Sequence, residues 1–172
     1  MDYCAFTDGA CKGNPGKGGW GWLEFVSNEK LEPKGLIISG CGGCLNTTNN
    51  RMEITAVLEY LKELPLGRKT VIYSDSQYVL KSLVKDGLSG ALVLKNPKNI
   101  NYTGWMKGWK QSSFLNVKNS DLWKKLDEIL YHHLSNGTLL EFRYVKGHSE
   151  SKGNNLADRL ANEGVLKINH NY

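Results

Sequence analysis

The stretch that decides the fold is DYCAFTDGACKGNPGKGGWGWLEFV, residues 2–26. Residues 2–8 alternate, with Tyr3 and Ala5 on one face and Cys4 and Phe6 on the other, the two-residue period of a strand. GNPGKGG (13–19) is rich in turn formers and reads as a loop. WGWLEFV (20–26) is aromatic and suits a pleated surface. SNEK then turns the chain into LIIS (36–39). Three strands joined by short turns predict an antiparallel meander.

Beyond residue 48 the period changes. Ile54, Val57, Leu58, Leu61 and Leu64 fall at helical intervals, and Pro65 and Gly67 end that helix. TVIYSD (70–75) reads as a buried strand, followed by a helix over about 76–86. Residues 87–104 show no clear period and read as an insertion or loop. Leu122, Leu126, Ile129, Leu130 and Leu134 share one face of a helix over Ser120–Ser135. LLEFRYVK (139–146) reads as a strand, and a last helix begins near Asn154. The predicted order is βββ-α-β-α-α-β-α. Strands reached through helices lie parallel to the first by right-handed crossovers, so the fold class is α/β with a mixed sheet. No repeat, low-complexity tract or linker divides residues 1–172, which read as one domain.

The 172 residues are 40% hydrophobic, with a mean hydropathy of -0.42. A chain of this size buries enough surface to fold without disulfides or metal. No apolar run approaches the roughly 20 residues of a membrane span, and the N-terminal residues carry no secretory pattern, so the expected location is cytoplasmic. The net charge of +5 permits a polyanionic partner without demonstrating one. Residues 87–119 hold five lysines and no acidic residue. Composition leaves both a solvated loop and a polyanion-binding patch open. Cys41-Gly-Gly-Cys44 lacks a second ligand pair, so the four cysteines read as reduced thiols and not as a zinc site. Gly16–Gly21 matches G-x-G-x-x-G but leads into a strand, which argues against a dinucleotide site.

Four carboxylates carry the chemistry. Asp8 and Asp75 sit at the C-terminal ends of the first and fourth strands, which converge at one sheet edge if the strands are parallel neighbours. Glu53 lies in the first turn of the first long helix, and Asp158 in the first turns of the last. Taken singly, Glu53, Asp75 and Asp158 suit helix ends, caps or surface. Together they would repel one another without cations, and an all-oxygen set favours magnesium or manganese.

The segments FTDGACKGNPGKGGWG, TTNNRME, YSDSQYV and VKGHSESKGNNLAD, in this order, closely resemble type 1 ribonuclease H over about residues 4–165. The resemblance implies a ribonuclease H-like fold with a five-stranded mixed sheet flanked by helices. It implies hydrolysis of the RNA strand of RNA–DNA hybrids with two magnesium ions, manganese being a substitute, leaving 5′-phosphate and 3′-hydroxyl ends. Asp8 would bridge both ions, Asp158 would help hold the one that activates water, and Glu53 and Asp75 would hold the other. His148 matches the family's auxiliary histidine. Asn14, Asn49, Gln77 and the backbone near Cys11 match minor-groove contacts, and Thr48 with Asn14 a phosphate pocket; turn capping is the other reading of these two, and the roles can coexist. GWMKGWK (104–110) resembles the family's basic protrusion, around 95–118, in which Trp105 and Trp109 stiffen the segment while Lys107 and Lys110 project toward phosphates. A monomer is expected. Two other readings are an inactive module that keeps the fold and grips nucleic acid, against which all four carboxylates stand, and another nuclease of the superfamily, against which TTNNRME and VKGH stand.

Overall fold

The computed structural model describes residues 2–27, 31–147 and 151–168. Its elements are β1 (Tyr3–Lys12), β2 (Gly16–Val26), β3 (Ile38–Thr47), α1 (Asn49–Glu63), β4 (Lys69–Ser74), α2 (Gln77–Leu83), β5 (Ser89–Leu92), β6 (Leu94–Asn96), β7 (Asn99–Ile100), α3 (Trp105–Gln111), α4 (Ser120–Ser135), β8 (Leu139–Tyr144) and α5 (Lys152–Ile168). One sheet runs β3-β2-β1-β4-β8-β5, and β6 pairs with β7 apart from it. The meander is antiparallel, β1, β4 and β8 are mutually parallel neighbours, and β5 closes the far edge antiparallel to β8. The mixed α/β sheet agrees with expectation, but it has six strands, not five.

Alternation along β1 and β2 splits the core in two. Ala5, Trp22, Ile72, Leu140 and Phe142 face α1 and α4, meeting Ile54, Leu61, Trp123 and Leu126. Cys4, Phe6, Leu23, Phe25 and Tyr73 face α5 around Ala157.

Three boundaries depart from the sequence reading. The loop expected over 13–19 is only a turn at 13–15, because β2 starts at Gly16. The third strand runs over 38–47, beyond LIIS. Its glycines hide it from propensity but are required by contact. A Cβ on Gly42 would lie 2.5 Å from the Trp20 ring, and one on Gly43 would lie 2.3 Å from the Gly164 carbonyl of α5. Residues 87–104, expected as a loop, form β5, β6 and β7. Cys41 and Cys44, three apart on a strand, point to opposite faces, and all four cysteines carry free thiols.

Candidate active site

The parallel pairing of β1 with β4 ends at Thr7 and Ser74. Asp8 is the next residue on β1, and Asp75 is the first residue after β4. Asp8 is not at the strand end, since β1 continues to Lys12 against β2. The position is instead a fork, where β1 leaves β4 and keeps β2. Thr48 caps α1, its hydroxyl accepting from Arg51 N at 3.2 Å. Glu53 is therefore the fifth helical residue, just beyond the expected first turn. Gly9 lets this helix approach: a Cβ there would sit 2.5 Å from Glu53 N. Gly153 does the same for α5, where a Cβ would meet the Phe6 ring at 2.4 Å. That helix starts at Lys152, two residues before the expected point, and carries Asp158 in its second turn.

Asp8, Glu53 and Asp75 each offer an oxygen within 4.8 Å of the others. Asp158 lines the same cleft, of about 520 Å³, but stands outside that trio. The Gly9 N–H donates to Asp8 Oδ1 at 2.9 Å and also to Glu53 Oε1. Asp8 and Glu53 are buried. Burial, with the neighbouring Asp75 charge, pushes the Asp8 carboxyl from 3.8 up to about 8. Burial first, then the charges of Asp8 and Asp75, holds Glu53 well above the usual carboxylate range. Such a cluster needs protons or a cation. The residues fit a hard divalent cation: the donors are all oxygens, and Asn154, buried in the same cleft, has an Oδ1 with no hydrogen-bond partner among the described residues.

Cys11, Asn49 and Gln77 also line this cleft. Gln77 donates to the Gly87 carbonyl at 3.3 Å. Asn14 and Thr48 stand beside the cleft as caps, Asn14 Oδ1 accepting from Asn49 N at 3.0 Å. His148 lies outside the described residues; Gly147 just before it passes Asp75, where a Cβ would come within 3.1 Å of Oδ2.

The α3 tryptophans form a chain of rings. Trp105 meets Trp109 and Tyr78, and Trp109 meets Trp123 of α4. Tyr78 lines the cleft, so this chain joins the site to the protrusion. Lys107 is exposed, as expected. Lys110 does not project: its ammonium pairs with Asp127 at 3.1 Å, a partner from α4 that sequence proximity does not reveal. The sequence reading missed Tyr78, Asn154 and Asn162 in the cleft. The two asparagines sit at i−4 and i+4 from Asp158, a spacing that could have found them.

No helix among the described residues is long and apolar enough to cross a membrane. The RNase H family profile matches residues 1–166. The chain is 42% identical over 161 residues to the ribonuclease H of Polaromonas naphthalenivorans, covering 93% of this chain and 84% of that one. It is 44% identical over 164 residues to the ribonuclease H of Chromobacterium violaceum, covering 95% and 94%. In fold it is similar to LC11-RNase H1, solved in complex with RNA/DNA hybrid, at TM-score 0.61 and 20% identity, covering 96% of this chain and 98% of that one. With the family profile matched over residues 1–166 and these ribonucleases H more than 40% identical over most of their length, the chain belongs to the ribonuclease H family.

Proposed function

We propose that this protein is a monomeric endoribonuclease of one catalytic domain, residues 1–172, that hydrolyses the RNA strand of RNA–DNA hybrids and leaves 5′-phosphate and 3′-hydroxyl ends. The observation that carries the reading is the convergence of Asp8, Glu53 and Asp75 at the fork of the sheet, with Asp158 on the same cleft. Asp8, Glu53, Asp75 and Asp158 would hold two magnesium ions, or manganese in their place. Bound there, the ions would activate water and stabilise the leaving 3′-oxygen of an in-line displacement. The chain's own part is to hold the carboxylates close despite their repulsion, through Gly9 N–H, the capped α1 and the α5 helix packed on Phe6. His148 would move a proton or aid product departure.

Cys11 backbone, Asn14, Asn49 and Gln77 border the cleft where a minor groove would lie, and 2′-hydroxyls there distinguish RNA from DNA. Asn14 and Thr48 would take a phosphate of the DNA strand while keeping their capping bonds. In the protrusion, around 95–118, Trp105 and Trp109 stiffen the helix, and Lys107 would meet the DNA strand. That a related fold is known in complex with RNA/DNA hybrid supports this substrate.

The test is cleavage of matched RNA–DNA hybrid, duplex DNA and duplex RNA with added magnesium. The wild type is expected to cut only the hybrid's RNA strand. Asp75→Asn is expected to abolish cleavage with the fold intact by circular dichroism. Near-normal turnover by Asp75→Asn in magnesium would sink the assignment.

A further inference from the structure

Ser151 caps α5, its Oγ accepting from Asn154 N at 3.2 Å, but Asp158 lies in the second turn, beyond the reach of that cap. What fixes it is a side chain one turn further along α5. Asn162 donates through Nδ2 to the Asp158 carbonyl at 2.9 Å, and the same nitrogen stands 3.5 Å from Asp158 Oδ1. An asparagine amide presents a donor on one side and an acceptor on the other, and its partners decide which way it faces. Here the partner is Lys12, whose Nζ donates to Asn162 Oδ1 at 3.1 Å. An ammonium has three donors and no acceptor, so a flipped amide would set NH2 against NH3⁺ and lose the bond. Lys12 thereby turns the Asn162 NH2 toward Asp158.

The placement of Lys12 gives this contact a purpose. It ends β1, four residues after Asp8 and on the same face of the strand. The strand that holds Asp8 in the carboxylate trio thus reaches across, through Lys12 and Asn162, to the helix that carries Asp158. Both asparagine and aspartate line the cleft.

We infer that Lys12 and Asn162 form a positioning pair that sets the Asp158 carboxylate for cation binding, with Lys12 acting only through the asparagine amide. This rests on the reading that Asp158 helps hold a divalent cation. Groups that orient metal ligands typically contribute 10–100-fold in metal affinity.

The experiment measures manganese binding by the electron paramagnetic resonance signal of free Mn²⁺, and the magnesium concentration giving half-maximal hybrid cleavage. It uses wild type, Asn162→Ala, Lys12→Met, Lys12→Arg and the Lys12→Met/Asn162→Ala double variant, with melting in EDTA as the folding control. Asn162→Ala and Lys12→Met are each expected to weaken cation binding about tenfold and to raise the half-maximal magnesium concentration similarly. Turnover at saturating magnesium should fall far less, and melting in EDTA should stay close to wild type. Lys12→Arg keeps a donor and should restore most of the affinity. The double variant should be no weaker than Asn162→Ala, because both act on one path. Wild-type affinity in Asn162→Ala, or additive losses in the double variant, would overturn the pair. A wild type that binds manganese yet cuts no hybrid would instead overturn the hydrolase reading and leave the pair standing.

Discussion

Asp8→Asn should stabilise the metal-free protein while destroying its activity. The Asp8 carboxyl is buried, and burial together with the Asp75 charge pushes it from 3.8 to about 8. Its folded pKa lies above its unfolded one, so its contribution is complete below about pH 4 and is lost progressively as pH rises toward 8. At about 1.4 kcal/mol per pH unit, keeping in the fold a proton that the unfolded chain has released costs on the order of 4 kcal/mol at pH 7. Asparagine has the same shape. Its Oδ1 can keep the Gly9 N–H bond, and its neutral NH2 can donate toward Glu53.

For a chain of this length each kcal/mol moves the melting temperature by about 2–4 °C. Melting in EDTA should therefore show Asp8→Asn above wild type by roughly 10 °C at pH 7, with the gap closing near pH 4. Magnesium should raise the wild-type melting temperature and leave the variant nearly unmoved, because binding to the native state stabilises only the chain that retains the site. An Asn variant no more stable than wild type at pH 8 in EDTA, or a gap that persists at pH 4, would refute the account of a strained cluster.

Two further perturbations separate other parts of the molecule. Lys107→Ala should raise KM for hybrid and reduce the salt slope of binding by about 0.7–0.9, whereas Lys110→Ala should leave the slope alone and lower the melting temperature by releasing Asp127; a salt series with thermal melts distinguishes them. His133 is buried with Nε2 against the Leu61 carbonyl at 2.7 Å and Nδ1 at 3.0 Å from Thr138 Oγ1, and burial holds its pKa below 6.5. Because the unfolded chain takes the proton first, wild type should lose stability relative to His133→Gln as pH falls below about 6.5, the opposite sense to Asp8; melting curves from pH 7 to 5 check this.

Where one physical signal dominated, the sequence was legible. The 3.6-residue stripes of α1 and α4 bury one face each, β4 is a short, largely apolar run, and β8 alternates buried with more open positions, so these elements could be placed. β3 could not, because its glycines are chosen by Trp20, Trp22 and Gly164, which lie elsewhere in the chain. β5 is a four-residue SGAL whose identity as a strand comes from pairing with β8, fifty residues on in register, Ser89 with Arg143. The four carboxylates were legible through their surrounding motifs. The roles of Lys12, Lys110 and Asn162 were not, since each depends on a partner brought near only by folding.

The site's position follows from the sheet's topology rather than from any one residue. A parallel neighbour of β1 is needed to bring Asp75 beside Asp8, and the pairing must stop at Thr7 and Ser74 for both carboxylates to leave the ladder. An antiparallel neighbour must hold β1 beyond that point, or Asp8 would sit on a frayed end. The two helices then arrive from opposite faces, α1 over Gly9 and α5 with Gly153 against Phe6, at positions where any larger side chain would keep them off. Each of these constraints belongs to the packed scaffold. The repulsion among carboxylates is therefore opposed by the two cores on either side of the sheet, which lose nothing when a cation relieves it. That division lets the fold supply a preorganised cluster of oxygen ligands without bending its own strands around the ion.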